Sequence, residues 1–149
     1  MENFENVVEG SGQLSPKANM EPSLAFVGAT WAALIVGVVA YNVGLYNASM
    51  QLNEKGYYFV VLLYGLFSAV SVQKSVRDRI EGLPISGIYY GISWFSAIVA
   101  IILLTIGLYN ATLTLSEKGF YGMSFALSLF SAITVQKNVR DYMAARKKR

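Results

Sequence analysis

The chain contains no cysteine and no histidine. The first absence excludes disulfides, thiolate nucleophiles and c-type haem attachment, and the second removes the commonest general base and metal ligand. Charge is scarce as well: Asp, Glu, Lys and Arg make up 14% of the 149 residues, against roughly 25% in ordinary globular domains. A net charge of +3 could suggest nucleic acid, but the basic residues sit beside apolar runs, where topology anchors sit. No nucleic-acid partner is expected. The first 21 residues carry Glu2, Glu5, Glu9 and Glu21 against one Lys17, so the basic start of a signal peptide is missing. This leader reads as a polar, acidic, disordered tail.

What remains is apolar. Hydrophobic residues make up 54% of the chain, and four windows hold no charge at all: Pro22–Asn53, Gly56–Gln73, Gly82–Ser116 and Gly119–Gln136. A spanning helix needs about 20 mainly apolar residues, with ~17 as a lower limit. A soluble helix of that length would show a polar stripe, and none of these does. The fold class expected is an all-α membrane protein with four transmembrane helices. Ser23 is placed to cap the first, Asn53 the second and Ser116 the fourth, with Glu54 and Glu117 in first turns where the helix dipole favours an anion. The stretch Glu81-Gly82-Leu83-Pro84 breaks the second helix from the third.

The chain also repeats itself. At an offset of 63, Gly44–Asp78 aligns without a gap on Gly107–Asp141, and 20 of those 35 positions are identical. The register extends upstream, pairing Ser23 with Ser86 and Trp31 with Trp94. Two tandem helical hairpins follow from this, over residues 22–80 and 86–143, joined by a linker at 81–85 and closed by a basic tail at 144–149. Ten Lys and Arg residues lie on the leader, the linker side and the tail, against only Lys55 and Lys118 on the two inner turns. The positive-inside rule then puts both termini in the cytoplasm. Each repeat has an even number of crossings, so the two copies enter in the same orientation as a parallel repeat.

Helix association in lipid depends on close packing and polar contacts. Ala25, Ala29, Ala33 and Gly37 recur every fourth position and read as one packing face, with Gly87 and Gly91 as a G-x-x-x-G on the third helix. Gly65 and Ala69, and Ser124, Ser128 and Ala132, offer small residues on the other two. Trp31 and Trp94, ~12 Å inside their helices, are expected to wedge between the repeats. Tyr46, Tyr57, Tyr58, Tyr109, Phe120 and Tyr121 read as an aromatic belt at the outer boundary.

Two motifs recur with charge. Asn47, Glu54 and Lys55, with their counterparts Asn110, Glu117 and Lys118, form a boundary motif that either caps helices or binds a headgroup or partner. Lys74 and Arg77, with Lys137 and Arg140, are candidate cytoplasmic headgroup contacts; such charges contribute ~1 kcal/mol each near an anionic surface. The spans themselves hold no ionisable group, whereas ion-coupled transporters usually keep one inside the bundle. Asn42 is the most conspicuous polar residue at depth, with Thr105 opposite it in the other copy.

The shared string G-L-Y-N-A, then E-K-G, an aromatic and Tyr, followed after the helix by V-Q-K-x-V-R-D, resembles the YiaA/YiaB family. The resemblance covers nearly everything from Pro22 to Asp141. It implies a multi-pass protein of a bacterial inner membrane built on a two-helix membrane domain, and it carries over no catalytic residues. The expectation is a non-enzymatic scaffold without cofactor or metal, partnered by membrane lipids and by further copies of itself or another membrane protein. The alternative is a small oligomeric channel or transporter. The topology is directly testable because no native thiol interferes: a membrane-impermeant maleimide should label Met50→Cys in intact cells, and Ile80→Cys only after lysis. Labelling of position 80 but not of position 50 would overturn the orientation.

Overall fold

The computed structural model describes residues 21–148; the leader other than Glu21, and Arg149, lie outside the described residues. Four helices follow in order: α1 (Leu24–Asn47), α2 (Leu52–Ile80), α3 (Gly87–Asn110) and α4 (Leu115–Lys147). Ser23 caps α1 by accepting from the Phe26 N–H at 3.2 Å, and Ser86 caps α3 from Tyr89 at 3.1 Å. The caps of α2 and α4 lie two residues earlier than the sequence suggested, at Gln51 and Thr114 instead of Asn53 and Ser116. The glutamates choose the site. Glu54 reaches back to the Gln51 N–H and Glu117 to that of Thr114, each at 2.8 Å. This arrangement needs cap and carboxylate three residues apart.

Helix α2 ends in a Schellman turn. Leu83 N–H bonds the Asp78 carbonyl at 2.9 Å and Gly82 N–H that of Arg79 at 3.3 Å. Gly82 takes φ +71°, a left-handed conformation that a side chain would strain.

Three helices, α1, α2 and α3, are long and apolar enough to cross a membrane. Helix α4 is more polar because Ser124, Ser128 and Ser131 interrupt its charge-free stretch, and all three are buried. The Ser124 and Ser128 hydroxyls donate to the carbonyls of Phe120 and Ser124, both at 2.7 Å.

The packing order is α1, α4, α2, α3. The broadest contacts join α1 to α4 and α2 to α3, and α2 meets α4 between them. The two helices within each hairpin, α1 with α2 and α3 with α4, touch only slightly. Exchanging α1 for α3 and α2 for α4 leaves this pattern unchanged, as a duplicated pair requires. Each repeat therefore packs mainly on the other.

Glycines mark the closest approaches. A Cβ on Gly37 would meet Ser128 Oγ at 2.7 Å and its backbone N at 3.0 Å, so α1 and α4 touch nearly backbone to backbone. A Cβ on Gly65 would strike the Phe125 ring at 2.6 Å, which fills the seam between α2 and α4. Around these contacts lies a core of Tyr41, Leu45, Tyr58, Val61, Leu62, Ala100, Leu104, Tyr121 and Phe125. The Tyr41 hydroxyl donates to the Tyr58 carbonyl at 2.9 Å, and that of Tyr57 to the Leu103 carbonyl at 2.6 Å.

The expected packing faces need correction. Of the four-residue stripe, Gly37 is buried and Ala33 half-buried, while Ala25 and Ala29 are exposed. A strict four-residue repeat gains ~40° per step on a helix of 3.6 residues per turn, so twelve residues carry it about 120° round. The buried face runs instead through Thr30, Gly37, Tyr41 and Leu45. Gly87 and Gly91 face open space, with nothing within 4 Å of a built Cβ. Trp31 and Trp94 are 45% and 43% exposed, so neither wedges between the repeats. Tyr46 and Tyr109 are exposed as a belt requires, but Tyr58 and Tyr121 belong to the core. Gly37→Leu should therefore destabilise by about 1–3 kcal/mol through overpacking, and Gly91→Leu should be near neutral, measured by unfolding in lipid bicelles.

Candidate functional site

One end of the molecule carries the two short connections at 48–51 and 111–114; the other carries most of the described positive charge. The recurring motifs divide between these ends.

At the turn end, each lysine spans nine residues to the end of the preceding helix. Lys55 Nζ donates to the Tyr46 carbonyl at 2.8 Å, and Lys118 Nζ to that of Tyr109 at 3.4 Å. Ammonium groups at a helix C-terminus satisfy its last carbonyls and offset the dipole. Asn47 and Asn110 donate to the carbonyls of Val43 and Ile106, both at 2.9 Å. The motif thus stitches a tight turn from both sides: glutamate holds the helix that starts, lysine the helix that stops.

Glu117 also accepts from the Thr114 hydroxyl at 2.9 Å. Hydrogen bonds from the Thr114 backbone and then its side chain hold the Glu117 carboxyl below the usual range.

The turn end holds two pockets. One, about 360 Å³, lies where α1 ends and α4 begins, between Asn47 and Gly44 on one side and Ser116, Glu117, Phe120 and Tyr121 on the other. The other, about 410 Å³ and largely apolar, is lined by residues including Asn42, Tyr46, Lys55 and Phe59. The sequence suggested that Asn47 would share a site with Glu54 and Lys55. The structure joins it to Glu117 of the other repeat, because α1 packs on α4.

At the basic end, the four candidate headgroup contacts all have carboxylate partners. Lys74 pairs with Asp78 at 3.2 Å, Lys137 with Asp141 at 2.9 Å and Arg77 with Glu81 at 2.6 Å, each one helical turn away. Of these ion pairs only those of Arg140 cross between helices, reaching Asp78 of α2 and Glu81 just beyond its end at 3.6 Å each. The repeat is broken here: position 144, the counterpart of Glu81, is alanine. Arg79 stacks over Tyr90 at 4.8 Å and Lys74 over Tyr89 at 5.8 Å, tying α2 to α3.

Two further polar groupings were hard to foresee from the residue pattern. Asn138 Nδ2 donates to Thr30 Oγ1 at 3.2 Å, a buried bond between α4 and α1. Its counterpart is Ser75, so the departure from the repeat was the available signal. Gln73 and Gln136, equivalent residues, each bury an amide oxygen that finds no hydrogen-bond partner among the described residues. Asn42 and Thr105 instead bond their own helix, at the carbonyls of Val38 and Ile101, both at 2.8 Å.

Long apolar helices, a duplicated register and charged groups confined to the ends define an all-helical membrane protein. The chain belongs to the family described as the yiaA/B two helix domain, matched twice, over residues 26–78 and 89–141. It is 60% identical over 119 residues to the inner membrane protein YiaA of Escherichia coli (strain K12), covering 80% of this chain and 82% of that protein. It is 38% identical over 60 residues to the uncharacterized membrane protein YubF of Bacillus subtilis (strain 168), covering 40% of this chain and 69% of YubF. No solved structure matches.

The Glu117 contacts set a pH dependence. A carboxyl whose folded pKa is lowered contributes stability at neutral pH and loses it as pH falls through that lowered value. Acidification below the ordinary value of 4.5 should therefore narrow the stability gap between wild type and Glu117→Gln, whose amide caps without titrating. A gap independent of pH down to about 3, followed by thermal unfolding in detergent, would contradict this.

Proposed function

We propose that the chain is a non-enzymatic scaffold of a bacterial inner membrane that holds lipids or a partner protein at its two rims. In this reading α4 crosses the membrane like the other three helices. Its serines at 124, 128 and 131 lower its hydropathy, yet all three are buried within the bundle, Ser128 against Gly37 of α1. Both termini lie in the cytoplasm, beside the clustered Lys and Arg. The two hairpins enter in the same orientation and are related by a pseudo-twofold axis along the membrane normal. The relative from Escherichia coli, named an inner membrane protein, supports the same membrane.

One observation carries the functional reading. The centre of the bundle is filled, by Phe125 against Gly65 and by Ser128 against Gly37, while exposed polar chemistry is concentrated at the ends. A filled seam favours holding over conducting. Native mass spectrometry of the full chain from mild detergent should recover a specific lipid or protein. Recovery of neither, together with solute flux through the purified protein in liposomes, would replace the scaffold with a channel.

A further inference from the structure

The pocket between α1 and α4 has a composition with a chemical direction. Among the described residues, Glu117 makes no ion pair, because Lys118 beside it is drawn away to the Tyr109 carbonyl. Its Oε2 accepts from Thr114, and Oε1 accepts no hydrogen bond among the described residues. Asn47 spends an amide hydrogen on Val43, which leaves its carbonyl oxygen as an acceptor. Lys55 already occupies the last turn of α1 through the Tyr46 carbonyl, and Glu117 sits in the first turn of α4, whose dipole end favours its carboxylate. Phe120 lies against Gly44, where a Cβ would meet its ring at 2.7 Å, and stays 45% exposed. Its ring packs edge-to-face on Tyr121, with centroids 5.8 Å apart.

Carboxylate and amide oxygens accept hydrogen bonds, and an aromatic face attracts cations. This set suits an organic ammonium. The pocket's place, where α1 ends and α4 begins, matches headgroup depth for a chain whose spans are α1 to α3.

We propose that this pocket, framed by Asn47, Glu117 and Phe120, binds the primary ammonium group of an aminophospholipid headgroup. The inference rests on the scaffold reading and names its ligand. The site exists only because the repeats interlock, since Asn47 belongs to one copy and Glu117 to the other. The equivalent positions elsewhere carry Asn53 and Tyr57 in place of Ser116 and Phe120. The Tyr57 hydroxyl is already committed to the Leu103 carbonyl.

The test uses the full chain in mild detergent, with phosphatidylethanolamine and phosphatidylglycerol added in equal amounts and retention read by native mass spectrometry. The ethanolamine lipid should be favoured about fivefold, the scale of one exposed ion pair with a cation–π contact. Glu117→Gln keeps a capping side chain and should abolish the preference. Asn47→Leu should reduce it, and Glu81→Gln at the opposite end should leave it intact. Displacement of the lipid by millimolar free ethanolamine would support the ammonium chemistry with a soluble source. Equal retention of the two lipids, or a preference surviving in both pocket variants, overturns the proposal. Specific capture of another lipid or of a protein without any amine preference overturns it too, and leaves the scaffold reading standing.

Discussion

Everything in this fold depends on the fact that hydrocarbon is as good a solvent for Leu and Ile as another helix is. The hydrophobic effect therefore supplies little reason for the helices to associate, and contact has to come from close packing and from polar groups that need partners. The point where both meet is the approach of Gly37 to Ser128. The missing side chain lets α1 come within van der Waals contact of the α4 backbone, and the serine hydroxyl is satisfied within its own helix. Thr30 and Asn138 add a direct bond across the same helix pair. Interhelical bonds of this kind average about 0.6 kcal/mol in membranes, so packing carries the larger share.

The same constraint explains where the polar residues went. Buried hydroxyls such as those of Ser68, Ser75 and Ser93 donate to a carbonyl three or four residues back. A hydroxyl can do so without a second helix, which makes serine a small residue with little desolvation cost. Charge is left to the two ends. There it is consumed locally: by capping at the turns, and by i,i+4 pairs at the basic end, which are worth about 0.3–0.5 kcal/mol each.

Much of this was legible in the sequence, and the failures have a common cause. Charge-free windows located the helices, and the 63-residue register located the duplication, because both are one-dimensional signals. Ser23 was read correctly as a cap, and the Thr114–Glu117 spacing was available to be read in the same way. The alanine stripe misled because spacing by fours drifts round a helix, and the G-x-x-x-G at Gly87 and Gly91 meets no neighbour within this chain. The tryptophans misled for a related reason: depth along a helix says nothing about direction around it. The pairing of Asn47 with Glu117 lay beyond sequence reasoning, since it depends on which helix of which repeat is the neighbour. Nothing in a tandem duplication says that each copy must pack mainly on the other.

That crossed packing has a consequence for the order in which the protein is made. Translation delivers α1 first and α4, its main neighbour, last. Throughout synthesis the leading helix waits in the bilayer beside a sequence neighbour it barely touches. A nascent chain stopped after α3 holds the broad α2–α3 contact and the slight one between α1 and α2, with the face of α1 that meets α4 bare. The bundle closes on completion of the final segment, and an interrupted chain is left open to whatever surveys unassembled helices in the bilayer.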